Sequence, residues 1–258
     1  MGYAGPMTTP RREVCEGCRD GVAFDVPFTM AFQPIVDVDA RSVFAFEALI
    51  RGPNGEPAPS ILAQVNERNR YGFDQACRVR AIELAARLGL PATGAMLSIN
   101  FLPNAVYNPE ACIRATLRAA ERVGFPLGRL LFELTENEQL TDHDHLKSIV
   151  DSYRQMGFRT AIDDFGAGFS GLNLLVKFQP DIIKLDMEII RGLDADPVRR
   201  SIVRALMTVC ADLGITAIAE GVETQAEMRA LRDCGVRLFQ GYLFARPGFE
   251  ALPEPLFP

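Results

Sequence analysis

Residues 28–51 read FTMAFQPIVDVDARSVFAFEALIR, two β-branched and aromatic runs joined by only six residues, 37–42. Runs of this composition form strands. A parallel crossover needs roughly a dozen or more connecting residues, so so short a joint makes the first strand antiparallel to the second. Everything downstream is more regular. Strand patterns at residues 43–49, 95–100, 130–134, 159–163, 182–185, 216–220 and 236–240 alternate with helical patterns at 73–88, 110–123, 143–156, 197–213 and 225–234. Glycine follows each helical pattern within two residues, the usual stop signal. Together with residues 28–36 this makes eight strands alternating with helices, which predicts closure into a barrel rather than an open sheet. The expected fold class is α/β: a modified TIM (β/α)8 barrel with an antiparallel first strand.

The composition agrees with one such domain. The chain has 258 residues, and barrels of roughly 250 residues are routinely single domains. Hydrophobic residues make up 48% and charged residues 23%, the balance of a globular protein. A net charge of −6 argues against a broad grip on a DNA or RNA duplex. It leaves open a small phosphate-bearing substrate, because bound divalent cations reverse the local field. No apolar run is long enough to span a bilayer and no signal-peptide pattern opens the chain, so the expected location is cytoplasmic. Residues 1–25 read as a leader and residues 26–258 as the domain. The leader carries Cys15 and Cys18 in a C-x-x-C pair, half of a structural zinc site. Its plain reading is two incidental thiols; a redox switch or a zinc site completed by a second chain are the alternatives. Cys77, Cys112, Cys210 and Cys234 sit in apolar segments and read as buried small hydrophobes.

In barrels the active site forms at the carboxyl ends of the strands. Those ends carry Glu47, Asn100, Glu133, Asp163 with Asp164, Lys184 with Asp186, Glu220 and Gln240. One polar residue at a strand end is ordinary; their recurrence around one rim is not. So many carboxylates converging on one mouth repel each other unless cations lie among them. Oxygen ligands of this kind suit Mg²⁺ or Mn²⁺. The two histidines, His143 and His145, fall at a predicted helix start and read as solvated, which argues against a histidine-rich zinc or iron centre. Two metals about 3.5–4 Å apart suit in-line displacement at phosphorus. The residues therefore point to metal-dependent phosphodiester hydrolysis, with Asp163 as the natural bridge and Lys184 placed to hold the attacking water.

At these positions the chain resembles the EAL-domain phosphodiesterases, which hydrolyse the bacterial second messenger cyclic di-GMP. The naming motif stands as Glu47-Ala48-Leu49-Ile50-Arg51, preceded by Phe32-Gln33-Pro34-Ile35-Val36. There follow Ser98-Ile99-Asn100, Phe132-Glu133-Leu134-Thr135-Glu136 and Ile162-Asp163-Asp164-Phe165-Gly166-Ala167-Gly168. Ile183-Lys184-Leu185-Asp186, Ala219-Glu220-Gly221-Val222-Glu223-Thr224 and Gln240-Gly241-Tyr242 complete the series, which runs in family order from Phe28 to about Phe249.

The resemblance implies the same modified barrel, two Mg²⁺ or Mn²⁺ ions per active site, cyclic di-GMP as substrate, linear pGpG as product, and a homodimer. It implies metal ligation by Glu47, Asn100, Glu133 and Asp163, with Asp164 and Glu220 serving the second ion directly or through water. Lys184 would orient the nucleophilic water and Glu220 help deprotonate it. Gln33, Leu49, Arg51 and Gln240 match positions that contact the dinucleotide, and Asp164 and Asp186 are counted beside them. Residues 164–171 match the loop that shapes the second metal site and the dimer contact, with Gly166, Gly168 and Gly171 easing its backbone; Glu136 matches the glutamate that anchors it. One departure is visible: Gly52-Pro53-Asn54-Gly55 follows Arg51 where many members carry an aromatic residue. A catalytically inactive receptor for the dinucleotide and a protein-interaction module are the competing readings. Retention of every ligand position together with Lys184 favours the enzyme.

Overall fold

The short joint after the first strand folds as a hairpin. Strand β1, Thr29–Asp37, runs antiparallel to β2, Ser42–Arg51, with Gln33 opposite Glu47. Asp37 tightens the turn, its Oδ1 accepting the N–H groups of Asp39 at 3.0 Å and Ala40 at 2.9 Å. The structure, a computed structural model, describes residues 22–106, 108–135, 143–167 and 171–258. The leader pair Cys15 and Cys18, the expected loop anchor Glu136, and Gly168 lie outside the described residues.

Beyond the hairpin come β3 (Met96–Asn100), β4 (Leu130–Thr135), β5 (Arg159–Phe165), β6 (Ile182–Leu185), β7 (Thr216–Ala219) and β8 (Leu238–Phe239). Strands β2 to β8 are parallel neighbours in chain order, and β8 pairs antiparallel with β1, which closes the barrel. All eight expected strands are present. The sequence pattern did not announce β9, Gly248–Phe249, which pairs antiparallel with β1 opposite Ala31 and Phe32. The long helices match their patterns with small changes: one begins at Arg70 rather than 73, and the expected helix 110–123 divides into Pro109–Cys112 and Arg114–Val123. Short helices such as Ala58–Leu62, Gly171–Lys177 and Met187–Ile190 carry too few turns to show periodicity in sequence.

Two apolar layers hold this frame. The larger lies between the barrel wall and the helices around it, where Phe132 packs edge-on to Phe158 at 5.2 Å and against Tyr153 at the same distance. The four cysteines expected to be small core residues are buried there or close by, unbonded to one another. The smaller layer is the barrel's floor. Ile35, Ala45, Met96, Leu131, Ala161, Ile182, Ile218 and Leu238 meet inside it, one from each of the eight strands. Because side chains alternate across a strand, the next inward-facing residue lies two positions toward the mouth. Those residues are Gln33, Glu47, Ser98, Glu133, Asp163, Lys184, Glu220 and Gln240. A polar layer thus rests on an apolar plug, and the floor shuts water out from below.

Candidate active site

The centre of the polar layer is one ammonium among carboxylates. Lys184 is 1% exposed, and its Nζ lies 2.6 Å from Glu220, 2.8 Å from Glu133, 3.0 Å from Asp163 and 3.4 Å from Glu47. Burial alone would push its pKa down. The charges of Asp163, Glu133, Glu220 and Glu47 outweigh that and raise it well above the ordinary lysine value, so the group is a fixed cation. Burial raises the pKa of Glu133 and of Glu220, and the neighbouring carboxylates raise them further, against the opposing pull of Lys184.

Neutral groups orient these acids. Ser98 Oγ donates to one oxygen of Glu133 while Lys184 takes the other. Asn100 Nδ2 donates to Glu47 Oε1 at 2.9 Å, and Gln240 Nε2 donates to Glu47 Oε2 at 2.7 Å. Gln240 Nε2 also approaches Gln33 Oε1 at 3.3 Å, and Gln33 in turn donates to the carbonyl of Ala245 at 3.1 Å. Ser98 was not among the residues singled out from sequence. The signal for it was present: it holds the same inward phase on β3 as Glu47 does on β2, opposite which it pairs.

Asp164 reaches the mouth differently. On the alternation of β5 it should face away from Asp163. Its φ of 53° and a register shift between Ile162 and Phe165 turn the backbone instead, and the following Gly166, at φ 100°, passes where a Cβ would collide with Ile189. The pKa of Asp164 is pushed up to about 6, first by burial and then by the charges of Asp163 and Asp186.

The carboxylates form two trios. Glu47, Glu133 and Asp163 offer oxygens within 4.8 Å of one another, and so do Asp163, Asp164 and Glu220. Asp163 belongs to both. Its Oδ1 and the Oε1 of Gln240 are buried without a hydrogen-bond partner, although Oδ1 lies in charge contact with Lys184. Fully ionised, the five carboxylates and one ammonium would carry four negative charges, a strong attraction for divalent cations. All-oxygen ligands, shared geometry and orphaned acceptors therefore fit hard divalent metals.

A cavity of about 360 Å³ opens over this layer, lined by Gln33, Glu47, Asp163, Asp164, Lys184, Asp186, Glu220 and Gln240, with Met187, Glu223 and Tyr242 at its lip. Tyr242 is half exposed and carries the guanidinium of Arg246 4.1 Å from its ring centre. Asp186 lines the cavity while its carboxylate caps the helix Met187–Ile190, accepting the N–H of Glu188 at 2.7 Å. Leu49 and Asn100 are not among the residues lining this cavity and border instead a separate apolar hollow of about 290 Å³. Arg51 is not a lining residue of either space; its Nη1 donates to the carbonyl of Ile50 at 2.7 Å. His145 is half-buried, not solvated as its sequence position suggested, with a ring nitrogen against the carbonyl of Val106.

The family model for the EAL domain matches residues 25–247. A structure of a standalone versatile EAL protein from Vibrio cholerae O395, in its c-di-GMP bound form, is 55% identical with a TM-score of 0.87, covering 91% of this chain and 98% of that one. BlrP1 of Klebsiella pneumoniae, in a manganese and cyclic di-GMP complex, is 38% identical with a TM-score of 0.84 over 90% of this chain and 58% of that one. The blue light- and temperature-regulated antirepressor BluF of Escherichia coli K12 is 33% identical over 228 residues, 88% of this chain and 56% of the relative. The chain spans about half or less of the curated relatives it matches, among them probable cyclic di-GMP phosphodiesterases of the same bacterium.

Proposed function

The chain belongs to the EAL domain family, and from that premise we propose that it hydrolyses cyclic di-GMP to linear pGpG, using two Mg²⁺ or Mn²⁺ ions. The observation that carries this reading is the pair of acid trios that share Asp163 around the buried ammonium of Lys184. Glu47, Asn100, Glu133 and Asp163 would hold one ion, and Asp163, Asp164 and Glu220 the other. Bound divalent ions would polarise the phosphoryl oxygens and lower the pKa of a water. In the reaction the water oxygen bonds to phosphorus as one P–O3′ bond breaks, a proton leaves the water, and the departing oxygen takes one up. Glu220 suits proton acceptance because its carboxylate belongs to the second trio and lines the cavity where the water would sit. Lys184, held in place by its carboxylates, suits orientation of the water. Gln33, Leu49, Arg51, Asp186 and Gln240 would contact the dinucleotide. Arg51, with its planar fork, suits a phosphate or a guanine edge once released from the Ile50 carbonyl.

The decisive experiment incubates the purified chain with cyclic di-GMP and Mg²⁺ or Mn²⁺ and separates the nucleotides chromatographically. Conversion to pGpG is expected, and Glu47→Ala should abolish it while circular dichroism stays unchanged. The similarity to an antirepressor supports a second reading, a nucleotide-binding or protein-binding module without turnover. Tight binding without product would favour it.

The catalytic domain is assigned to residues 26–258. Assembly as a homodimer is supported by the helix Gly171–Lys177, which presents Leu172 and Val176 at 61% and 81% exposure. Sedimentation of the wild type against Val176→Glu tests this. No described helix is long and apolar enough to cross a membrane, and a cytoplasmic location goes with the proposed substrate.

A further inference from the structure

Among the described residues, the largest charged group buried outside the mouth is Arg78, enclosed with Asp74 on the helix Arg70–Arg87. Its Nη2 pairs with Asp74 Oδ2, and its Nη1 donates to the Tyr153 hydroxyl at 3.3 Å, reaching the helix His143–Gln155. A buried ion pair contributes little net stability over an apolar pair of the same shape, so its presence calls for another explanation. The other oxygen of Asp74 supplies one. Asp74 Oδ1 accepts the N–H of Leu102 at 2.9 Å, two residues beyond Asn100. On the near side, Phe101 N donates to the Glu133 carbonyl at 3.0 Å, and its ring lies 5.8 Å from that of Tyr153. The backbone leaving β3 is therefore tied down directly after Asn100, to the neighbouring strand and to a buried charge.

We propose that Asp74 is a positioning residue for Asn100: it pins the end of β3 so that the amide faces Glu47 and the metal site, and Arg78 with Tyr153 fixes the carboxylate that does so. This rests on the assignment of Asn100 as a metal ligand. Partners that orient metal ligands are typically worth about 10–100-fold in affinity.

The test is Mn²⁺ binding to the metal-free full chain by calorimetry, which needs no turnover. Asp74→Leu/Arg78→Met removes the tether without stranding a charge and should weaken Mn²⁺ binding about tenfold. Asp74→Asn/Arg78→Met keeps an acceptor for Leu102 and should recover most of the affinity. Asn100→Ala should weaken binding too, and adding the Leu/Met pair to it should cost nothing more. Asp74→Ala/Arg78→Met replaces the Leu/Met pair if that variant does not fold. Wild-type affinity in the tether-less variant, beside a weakened Asn100→Ala, would overturn the positioning role alone. Equal losses in the Leu and Asn versions would overturn it as well, by tracing the effect to the ion pair. Wild-type affinity in Asn100→Ala would sink the ligand assignment itself.

Discussion

Replacing Lys184 by methionine removes the one positive charge from the polar layer while keeping most of the side chain's length. In the metal-free protein four carboxylates lie 2.6–3.4 Å from its Nζ. At an effective dielectric of about 20, an ammonium and a carboxylate 3 Å apart attract by about 5–6 kcal/mol, so losing the ammonium pushes the carboxyl pKa values up beyond the rise that burial already gives Glu133 and Glu220. The variant relieves this by binding a proton. A glutamate with an ordinary pKa of 4.5 takes up that proton at pH 7.5 at a cost of about 4 kcal/mol, three pH units at about 1.4 kcal/mol each. That is the expected destabilisation of the variant at pH 7.5, within the range seen when a buried pair is broken. At pH 5.5 the same proton costs about 1.4 kcal/mol. The sign follows from proton counting. The folded variant holds one proton more than the folded wild type and the unfolded chain does not, so the deficit grows as pH rises above the ordinary carboxylate value. Urea denaturation in EDTA at pH 5.5, 6.5 and 7.5, against wild type, measures it. A deficit independent of pH, or a variant as stable as wild type at pH 7.5, would refute the reasoning.

Asp164→Asn should stabilise the metal-free protein by about 1 kcal/mol at pH 7.5, a figure discounted because the side chain is partly exposed. Its carboxyl pKa is raised from 3.8 to about 6, so ionisation costs stability as pH climbs through that window; thermal melts should show the gain vanish near pH 4, and Mn²⁺ binding should weaken. Gly241→Ala would drive a Cβ into the backbone of Val222, and should cost about 1–3 kcal/mol in urea denaturation while displacing the adjacent Gln240 and slowing turnover. Glu47→Ala, already named, should lose turnover with its fold intact.

Much of this site was legible in one dimension because strand geometry is local. Alternation with a period of two ties each floor residue to the polar residue above it, so Ala45 implies Glu47 and Ala161 implies Asp163 without any knowledge of packing. The short joint at 37–42 likewise dictated an antiparallel first strand, since six residues cannot carry a crossover. Helix patterns with glycine stops placed the long outer helices to within a few residues.

Other features required the folded molecule. Asp164 stands out of phase and enters the mouth only through a left-handed backbone turn and a register shift. Strand β9 is two residues long, and only its pairing with β1 makes it a strand. Nothing in the helical pattern marks Asp74 and Arg78 as buried; the folded molecule encloses them and ties Asp74 to Leu102. The sequence by itself determined which residues face inward on each strand, because that depends on covalent alternation. The tertiary structure alone decided which of them meet, how far Lys184 is desolvated and which carboxylates share Asp163, because those depend on distances between chain segments that closure of the barrel brings together.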